Sequence, residues 1–314
     1  MALPIVFVHK GNSDYLKYSI NQARFFNQSS TIYLIGDDTN NRYSGTEHFL
    51  IAQYENNAIE FEKIYKHLNF LPENGVLFWF KRWFIIEEFL RKNNISYPFI
   101  YIDSDVLLFS DITKEFENFK SYSMTICGER GPQYTYFSSV SSLSEFCKFI
   151  RSLFLDKEYF EKLIEKFEFH KKTGSPGGVD DMTAFYEFKK INPEKVGNTN
   201  MIYNNSIYDN NINSQEGYYY DSDNNIKKIY WIGGLPFGKV SITGQLIQFN
   251  GLHFQGTAKK FMHRFYVGEN LYFQKIKSEL YYNVYIPIRI KILKFYCCFL
   301  KTKKSSDENS STLT

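Results

Sequence analysis

Cysteine is scarce in this sequence, with only Cys127, Cys147, Cys297 and Cys298 among 314 residues. They form no C-x-x-C pair and no zinc-site spacing, and so few thiols in a chain this long fit a reducing compartment. The chain also has no uninterrupted apolar run of about 18 residues, so no spanning helix is predicted. The apolar stretch near the N-terminus, ending at Val8, is short and has no basic leader. It reads as a buried first strand, not as a signal peptide. An excess of charge is missing too: the formal net charge of +3 is too small to argue for nucleic acid. A cytoplasmic protein, soluble or peripheral on a membrane surface, is expected.

Apolar residues make up 43% and charged residues 23% of the chain, a globular balance. The length allows one large α/β domain or two small ones. Aromatic residues are abundant, but so are Asn and Lys. The aromatics are therefore not a sugar-binding signal by themselves.

The first 110 residues alternate strand and helix patterns. Ile5 to Val8 is an apolar run ending at the turn His9-Lys10-Gly11-Asn12. Residues 15–26 place Leu16, Ile20, Ala23 and Phe26 on one helical face. Residues 31–35 form a second strand, stopped by Gly36-Asp37-Asp38. Helices are predicted around 59–68 and over 78–92, the latter with Trp79, Trp83, Ile86, Phe89 and Leu90 on its apolar side. Pro98 then breaks the chain, and Phe99 to Ile102 reads as a strand. Such alternation predicts a mostly parallel central sheet flanked by helices. Ligands of such sheets bind beyond the carboxyl ends of the strands, so the turns at His9, Asp37 and Asp103 should converge. Further on, 121–127 and 246–252 read as strands, and 143–154, 157–169 and 179–189 as helices. The Asn- and Tyr-rich stretch 192–225 reads as long loops with a few short strands.

Asp103-Ser104-Asp105 follows the strand at 99–102. At a strand end, side chains two residues apart point the same way. Two carboxylates so placed repel unless a cation lies between them, and hard oxygen ligands suit Mg²⁺ or Mn²⁺. With thirteen Asp in the chain, chance alone supplies roughly one D-x-D in every two such sequences, so the motif by itself is weak. Asp221-Ser-Asp223 is an internal control: it lies in an Asn-rich loop and reads as a solvated turn. The first pair instead interrupts an apolar run, where carboxylates are costly unless paired or bound to metal.

The segment Phe99-Ile-Tyr-Ile-Asp-Ser-Asp-Val-Leu-Leu-Phe resembles the D-x-D region of GT-A-fold glycosyltransferases. The opening strand, helix and second strand are similar to the nucleotide-binding half of that fold. His253-Phe-Gln-Gly256-Thr-Ala-Lys259 resembles the H-x-x-G-x-x-K element of transferases related to glycogenin and the lipooligosaccharide galactosyltransferases. In this chain Lys260-Phe261 follow the Lys, where that group usually has Pro-Trp. The resemblance implies a metal site of Asp103, Asp105 and His253, with Gly256 and Lys259 approaching the diphosphate of a nucleotide-sugar donor. It also places Arg82 near the donor sugar and the carboxylates, and Asp180-Asp181 on the acceptor side with Asp181 ahead of Asp180. The chemistry of the residues agrees: imidazole is a good ligand for Mn²⁺, Gly permits close backbone approach, and Lys supplies a point charge.

Each supporting residue also has an ordinary structural reading. Arg82 could belong to a solvated Lys81-Arg82 face, and Asp180-Asp181 could simply cap a helix. His9, Gly11, Asn12, Asp37 and Asp38 would line the nucleotide pocket or only shape turns, and Ser104 would join that pocket. Glu129 is a weak candidate for the acceptor cleft. Cys127 and Cys147 read as small buried hydrophobes. The predicted organisation is a GT-A-like catalytic domain over residues 1–268, a basic aromatic segment over 269–304, and a disordered tail over 305–314. Residues 275–304 carry eight Lys/Arg against one Glu; such a basic, aromatic segment either contacts an anionic membrane or packs on the domain as a terminal element. The partners expected are therefore a nucleotide sugar, a glycan or glycolipid acceptor, and that membrane surface. Two other readings compete. A haloacid-dehalogenase-type phosphatase would use the first Asp of D-x-D as nucleophile, but needs it near the N-terminus with a downstream G-D-x-x-x-D, which is absent. A transferase-like domain that binds glycan or nucleotide without turnover would have no reason to keep both carboxylates and His253.

Overall fold

The computed structural model describes residues 2–268, 272–289 and 291, and the side chains of these except 272–274. The central element is a seven-stranded sheet in the order 47–50, 32–36, 5–8, 99–102, 134–137, 124–126, 196–198. The strand Ile5–Val8 lies between Ile32–Gly36 and Phe99–Ile102 and is parallel to both. Antiparallel pairing begins where Phe99–Ile102 meets Tyr134–Phe137.

The apolar runs are continuous because the sheet is covered on both faces. Ile5, Phe7, Ile32, Leu34, Ile100 and Ile102 pack with Leu16, Ile20 and Ala23 of the helix Leu16–Phe26. Val6, Val8, Tyr33, Ile35 and Tyr101 face the other way. They pack with the helices Glu73–Lys92, Val140–Leu155 and Asp181–Ile191. The expected α/β architecture, a mostly parallel sheet flanked by helices, is the observed one.

Several boundaries move. The helix predicted from 78 begins at Glu73, with Pro72 just before it. Of its predicted apolar side, Trp83, Ile86, Phe89 and Leu90 are buried, but Trp79 is only half-buried and faces a cavity. The helix expected over 59–68 spans Asn56–Glu62.

The larger difference is a second sheet, ordered 229–232, 235–239, 246–253, 106–108, with Ser206–Tyr208 added parallel to Leu246–His253. The Asn-rich stretch 192–225 is long loops with a few short strands, as expected: Val196–Asn198, Ser206–Tyr208 and Tyr220–Asp221. The hairpin that follows it, over residues 229–239, is the addition. Gly233 and Gly234, at φ 58° and 80°, connect Ile229–Ile232 to Leu235–Lys239 in a two-residue turn, the positive-φ pair that matches strand twist. Asn204 and Asn205 do the same at φ 48° and 62°, and Tyr203 and Ser206 exchange backbone hydrogen bonds across them. The glycine pair was a legible hairpin signal.

Towards the C-terminus, Tyr272–Leu280 is helical. Ser278 joins it to the domain: its hydroxyl lies 2.7 Å from Tyr18 Oη and donates to Asp14 at 2.6 Å. The predicted tail 305–314 and the last part of the basic segment, including Lys294, Cys297 and Cys298, lie outside the described residues. Among the described residues, no helix is long and apolar enough to cross a membrane.

Candidate active site

The chain changes sheets at Asp103-Ser104-Asp105. The strand Phe99–Ile102 belongs to the first sheet and Val106–Leu108 to the second. The Val106 amide donates to the Asp103 carbonyl at 3.2 Å, closing a tight turn between them. In the second sheet Val106 pairs with His253, the last residue of Leu246–His253. The Phe254 amide donates to the Asp105 carbonyl at 2.9 Å. Strand register therefore brings the distant His253 beside the carboxylates.

Asp103, Asp105 and His253 each present a ligand atom, and these atoms lie within 4.8 Å of one another. His253 Nδ1 faces the Asn210 carbonyl at 2.7 Å and donates to it, which leaves Nε2 turned to Asp105 at 3.6 Å. Lys259 Nζ lies 2.8 Å from the other Asp105 oxygen. Burial alone would raise the Asp105 carboxyl, but the His253 imidazole and Lys259 ammonium outweigh it and hold Asp105 well below the usual carboxylate range. Burial likewise disfavours charge on His253, yet Asp105 lifts the imidazole to about 9. Asp105 is thus offset by the His253 imidazole and the Lys259 ammonium. Two hard carboxylates and one imidazole already gathering positive charge are a donor set that fits Mn²⁺ or Mg²⁺.

Arg82 is buried beneath the motif. Its guanidinium donates to Asp103 Oδ1 at 2.7 Å, to Tyr101 Oη at 2.7 Å and to Asp181 Oδ2 at 2.5 Å. Tyr101 also donates to Asp103 Oδ1 at 2.5 Å. Trp83 Nε1 donates to the same Asp181 oxygen at 3.0 Å. Arg82 is therefore not on a solvated face: it ties the strand-end carboxylate to the helix Asp181–Ile191. Burial lifts the Asp181 carboxyl to about 6 in spite of Arg82, so the pair is ionic at neutral pH. Asp180 is different. It caps that helix in a reciprocal box with Thr183 and does not line the cavity. The turn before it is tight: Gly178 has φ 147°, and a Cβ there would lie 2.4 Å from the Leu68 carbonyl.

These groups surround a cavity of about 350 Å³. Of the other predicted residues, His9 and Ser104 line it, with His9 Nδ1 2.9 Å from Ser104 Oγ. Gly11, Asn12, Asp37 and Gly256 are not among its lining residues. Gly11 donates its amide to Asp37 Oδ2 at 2.6 Å. Asp37 also accepts from Thr39, so both act in turn geometry. Asn12 accepts from Tyr43 Oη at 2.9 Å. Gly256, at φ 59°, opens the short 3₁₀ helix that carries Lys259. The turns at His9, Asp37 and Asp103 do converge. Glu129 is exposed and pairs with Lys189. Asp221 is a solvated turn that accepts the Asp223 and Asn224 amides. Cys127 and Cys147 are buried thiols.

Sequence reasoning passed over Tyr101, Phe78, Trp79, Gln133 and Met182, which also line the cavity. Tyr101 was accessible by alternation, two residues before Asp103. Gln133 and Met182 gave no local signal.

No family model and no curated protein matches the sequence. Several solved structures are partly similar to it. Mouse xyloside xylosyltransferase 1, in its apo form, is 10% identical, with 66% of this chain and 88% of that one covered and a TM-score of 0.48. The bifunctional glycosyltransferase WbbM is 11% identical over 88% of this chain at a TM-score of 0.42, and only 51% of its own length is covered. The galactosyltransferase LgtC, in complex with donor and acceptor sugar analogs, is 9% identical over 63% of this chain and 73% of its own at a TM-score of 0.36. Likeness at this level concerns the course of the chain, and the chemistry rests on the cavity residues themselves.

Proposed function

We propose that this protein is a metal-dependent glycosyltransferase of GT-A type that moves a sugar from a nucleoside-diphosphate donor to an acceptor hydroxyl. The observation that carries the reading is the meeting of Asp103, Asp105 and His253 beside Lys259 and the Arg82–Asp181 pair in one cavity. Asp103, Asp105 and His253 would hold Mn²⁺ or Mg²⁺, whose charge offsets that of a departing nucleoside diphosphate. Lys259 is close enough to add its own charge to the same phosphates once it leaves Asp105. Arg82 fixes Asp103 on one side and Asp181 on the other, so the metal-side and acceptor-side carboxylates keep a constant relation. Asp181 presents a carboxylate to the cavity where an acceptor hydroxyl would approach. Its lifted pKa suits a group that takes and returns a proton. His9 and Ser104 would contact the nucleotide. The phosphatase reading needs Asp103 as a free nucleophile, whereas its Oδ1 already accepts from both Arg82 and Tyr101.

The test is a screen of nucleotide sugars with Mn²⁺, with Mg²⁺ and with chelator. At least one donor should be hydrolysed or transferred, and chelator should abolish the turnover. Release of phosphate from sugar phosphates, with no nucleotide sugar consumed, would favour the phosphatase instead.

The acceptor class proposed is a glycan or glycolipid, with the protein peripheral on the cytoplasmic face of an anionic membrane. The C-terminal helix and its continuation expose Ile276, Leu280, Val284 and Ile288, four residues apart and so on one helical side. Lys277 and Arg289 are nearby in sequence. Co-sedimentation with phosphatidylserine vesicles should be strong at low salt and weaken as salt screens the basic residues. Equal partition onto neutral vesicles, or none onto anionic ones, removes this part of the reading.

A further inference from the structure

Lys227 is a fully covered ammonium that the proposed reaction does not use. It donates to Asp209 Oδ1 at 2.7 Å, to the Asn211 carbonyl at 2.6 Å and to Glu216 Oε2 at 2.8 Å. Glu216 takes the left-handed backbone region at φ 45°, and its other carboxylate oxygen accepts from Asn210 Nδ2 at 2.7 Å. Asn210 is thereby held on three sides. Its two chain neighbours are bonded to Lys227, and its own amide is bonded to Glu216. A fourth constraint comes from Gln133, whose Nε2 donates to the Asn210 carbonyl at 2.9 Å and to Asn210 Oδ1 at 3.1 Å.

The Asn210 carbonyl is also the acceptor for His253 Nδ1. The same short segment touches the His253 backbone: Asp209 Oδ2 accepts the His253 amide at 3.3 Å, and the Ile212 amide donates to the His253 carbonyl at 2.9 Å. Residues 209–212 thus form a cradle for His253, and the buried charges fasten that cradle. Removing an ammonium from water costs several kcal/mol, and a well-packed apolar pair often serves stability as well or better. A metal-binding imidazole, by contrast, almost always donates its other ring N–H to a fixed acceptor, which sets its tautomer and orientation.

We propose that Lys227 is a positioning residue: through Asp209, Asn211 and Glu216 it fixes the Asn210 carbonyl, which sets His253 Nδ1–H and aims Nε2 at the Asp103/Asp105 pair. This rests on the reading of those three residues as a cation site. It adds that the site's third ligand is set by a buried charge network beside the second sheet.

Lys227→Met alone would leave Asp209 buried and unpaired, so the informative variant is the double Asp209→Asn/Lys227→Met, which removes the two fully buried charges and leaves Glu216, whose side chain is 29% accessible and can turn to water. Two measurements on the full chain decide the matter. The first is Mn²⁺ affinity by titration calorimetry, expected to weaken by about 10- to 100-fold in the folded double variant. The second is the protected His253 Nδ1–H proton resonance in the metal-free protein, expected in the wild type and lost to exchange in the variant. A folded variant that keeps both the affinity and the resonance overturns the proposal. If the wild type binds no Mn²⁺ while the resonance is still lost in the variant, the metal reading fails and the positioning role stands. Should the double variant not fold, Glu216→Gln keeps the Lys227–Asp209 pair and should show losses of the same sign but smaller. Unchanged affinity and resonance in that variant would also refute the role.

Discussion

Arg82→Met is expected to destabilise the protein by about 3–5 kcal/mol, because it leaves a carboxylate buried without its cation. Asp181 is 2% exposed, and among the described residues its Oδ2 has, apart from Arg82, only the Trp83 indole N–H as a donor. Asp103 loses the same guanidinium but keeps Tyr101, and with 19% of its side chain accessible it can still reach water. Most of the loss should therefore come from Asp181. The melting temperature should fall on the order of 10 °C. The second variant separates charge from packing: Arg82→Met/Asp181→Asn removes the stranded charge and lets the amide oxygen keep the Trp83 bond. It should regain most of the lost stability while activity stays absent. A single variant that melts within about 2 °C of the wild type would mean that the pair is solvated or weak, contrary to its geometry.

The opposite pattern is expected of Asp105→Ala. On the proposed reading, metal-dependent turnover should fall by about 10³-fold or more, since the variant would lose a ligand of the cation that offsets the leaving charge. Stability should change little. Lys259 loses its partner, but 31% of its side chain is accessible, so its ammonium can turn to water. His253 keeps the Asn210 carbonyl. Donor turnover measured against Mn²⁺ concentration, beside a thermal melt of the same preparation, separates the two effects. Full turnover in the variant would remove Asp105 from the chemistry. A collapse of the melt would show that the carboxylate serves the fold. Arg82 and Asp105 lie in one cavity, yet the first is predicted to dominate stability and the second activity. The difference follows from whether the group left behind can reach water.

Much of the site was legible because its chemistry is local or repeats a pattern. Asp103 and Asp105 stand two residues apart at the end of an apolar strand. His253, Gly256 and Lys259 fall within one short segment. Arg82 was harder to read. It falls on the apolar stripe of its helix, three residues after Trp79 and four before Ile86, but the pattern does not say which charges an arginine there would meet. Asp180 and Asp181 are adjacent and chemically identical, so no property of the sequence could divide a helix cap from a buried counter-ion. The capping geometry and the reach of Arg82 divide them.

The sequence by itself determined the parallel sheet, through apolar runs that only a doubly covered strand can bury, and with it the convergence of the strand-end turns. It also marked the carboxylate pair, because charge inside an apolar run needs a partner. Tertiary structure alone decided who those partners are. The second sheet brings His253 opposite Val106, the helix Glu73–Lys92 turns Arg82 under Asp103, and residues 209–212 set the imidazole. Each of these contacts joins segments far apart in the chain, and local periodicity carries no information about which distant strand or helix will supply the opposite charge.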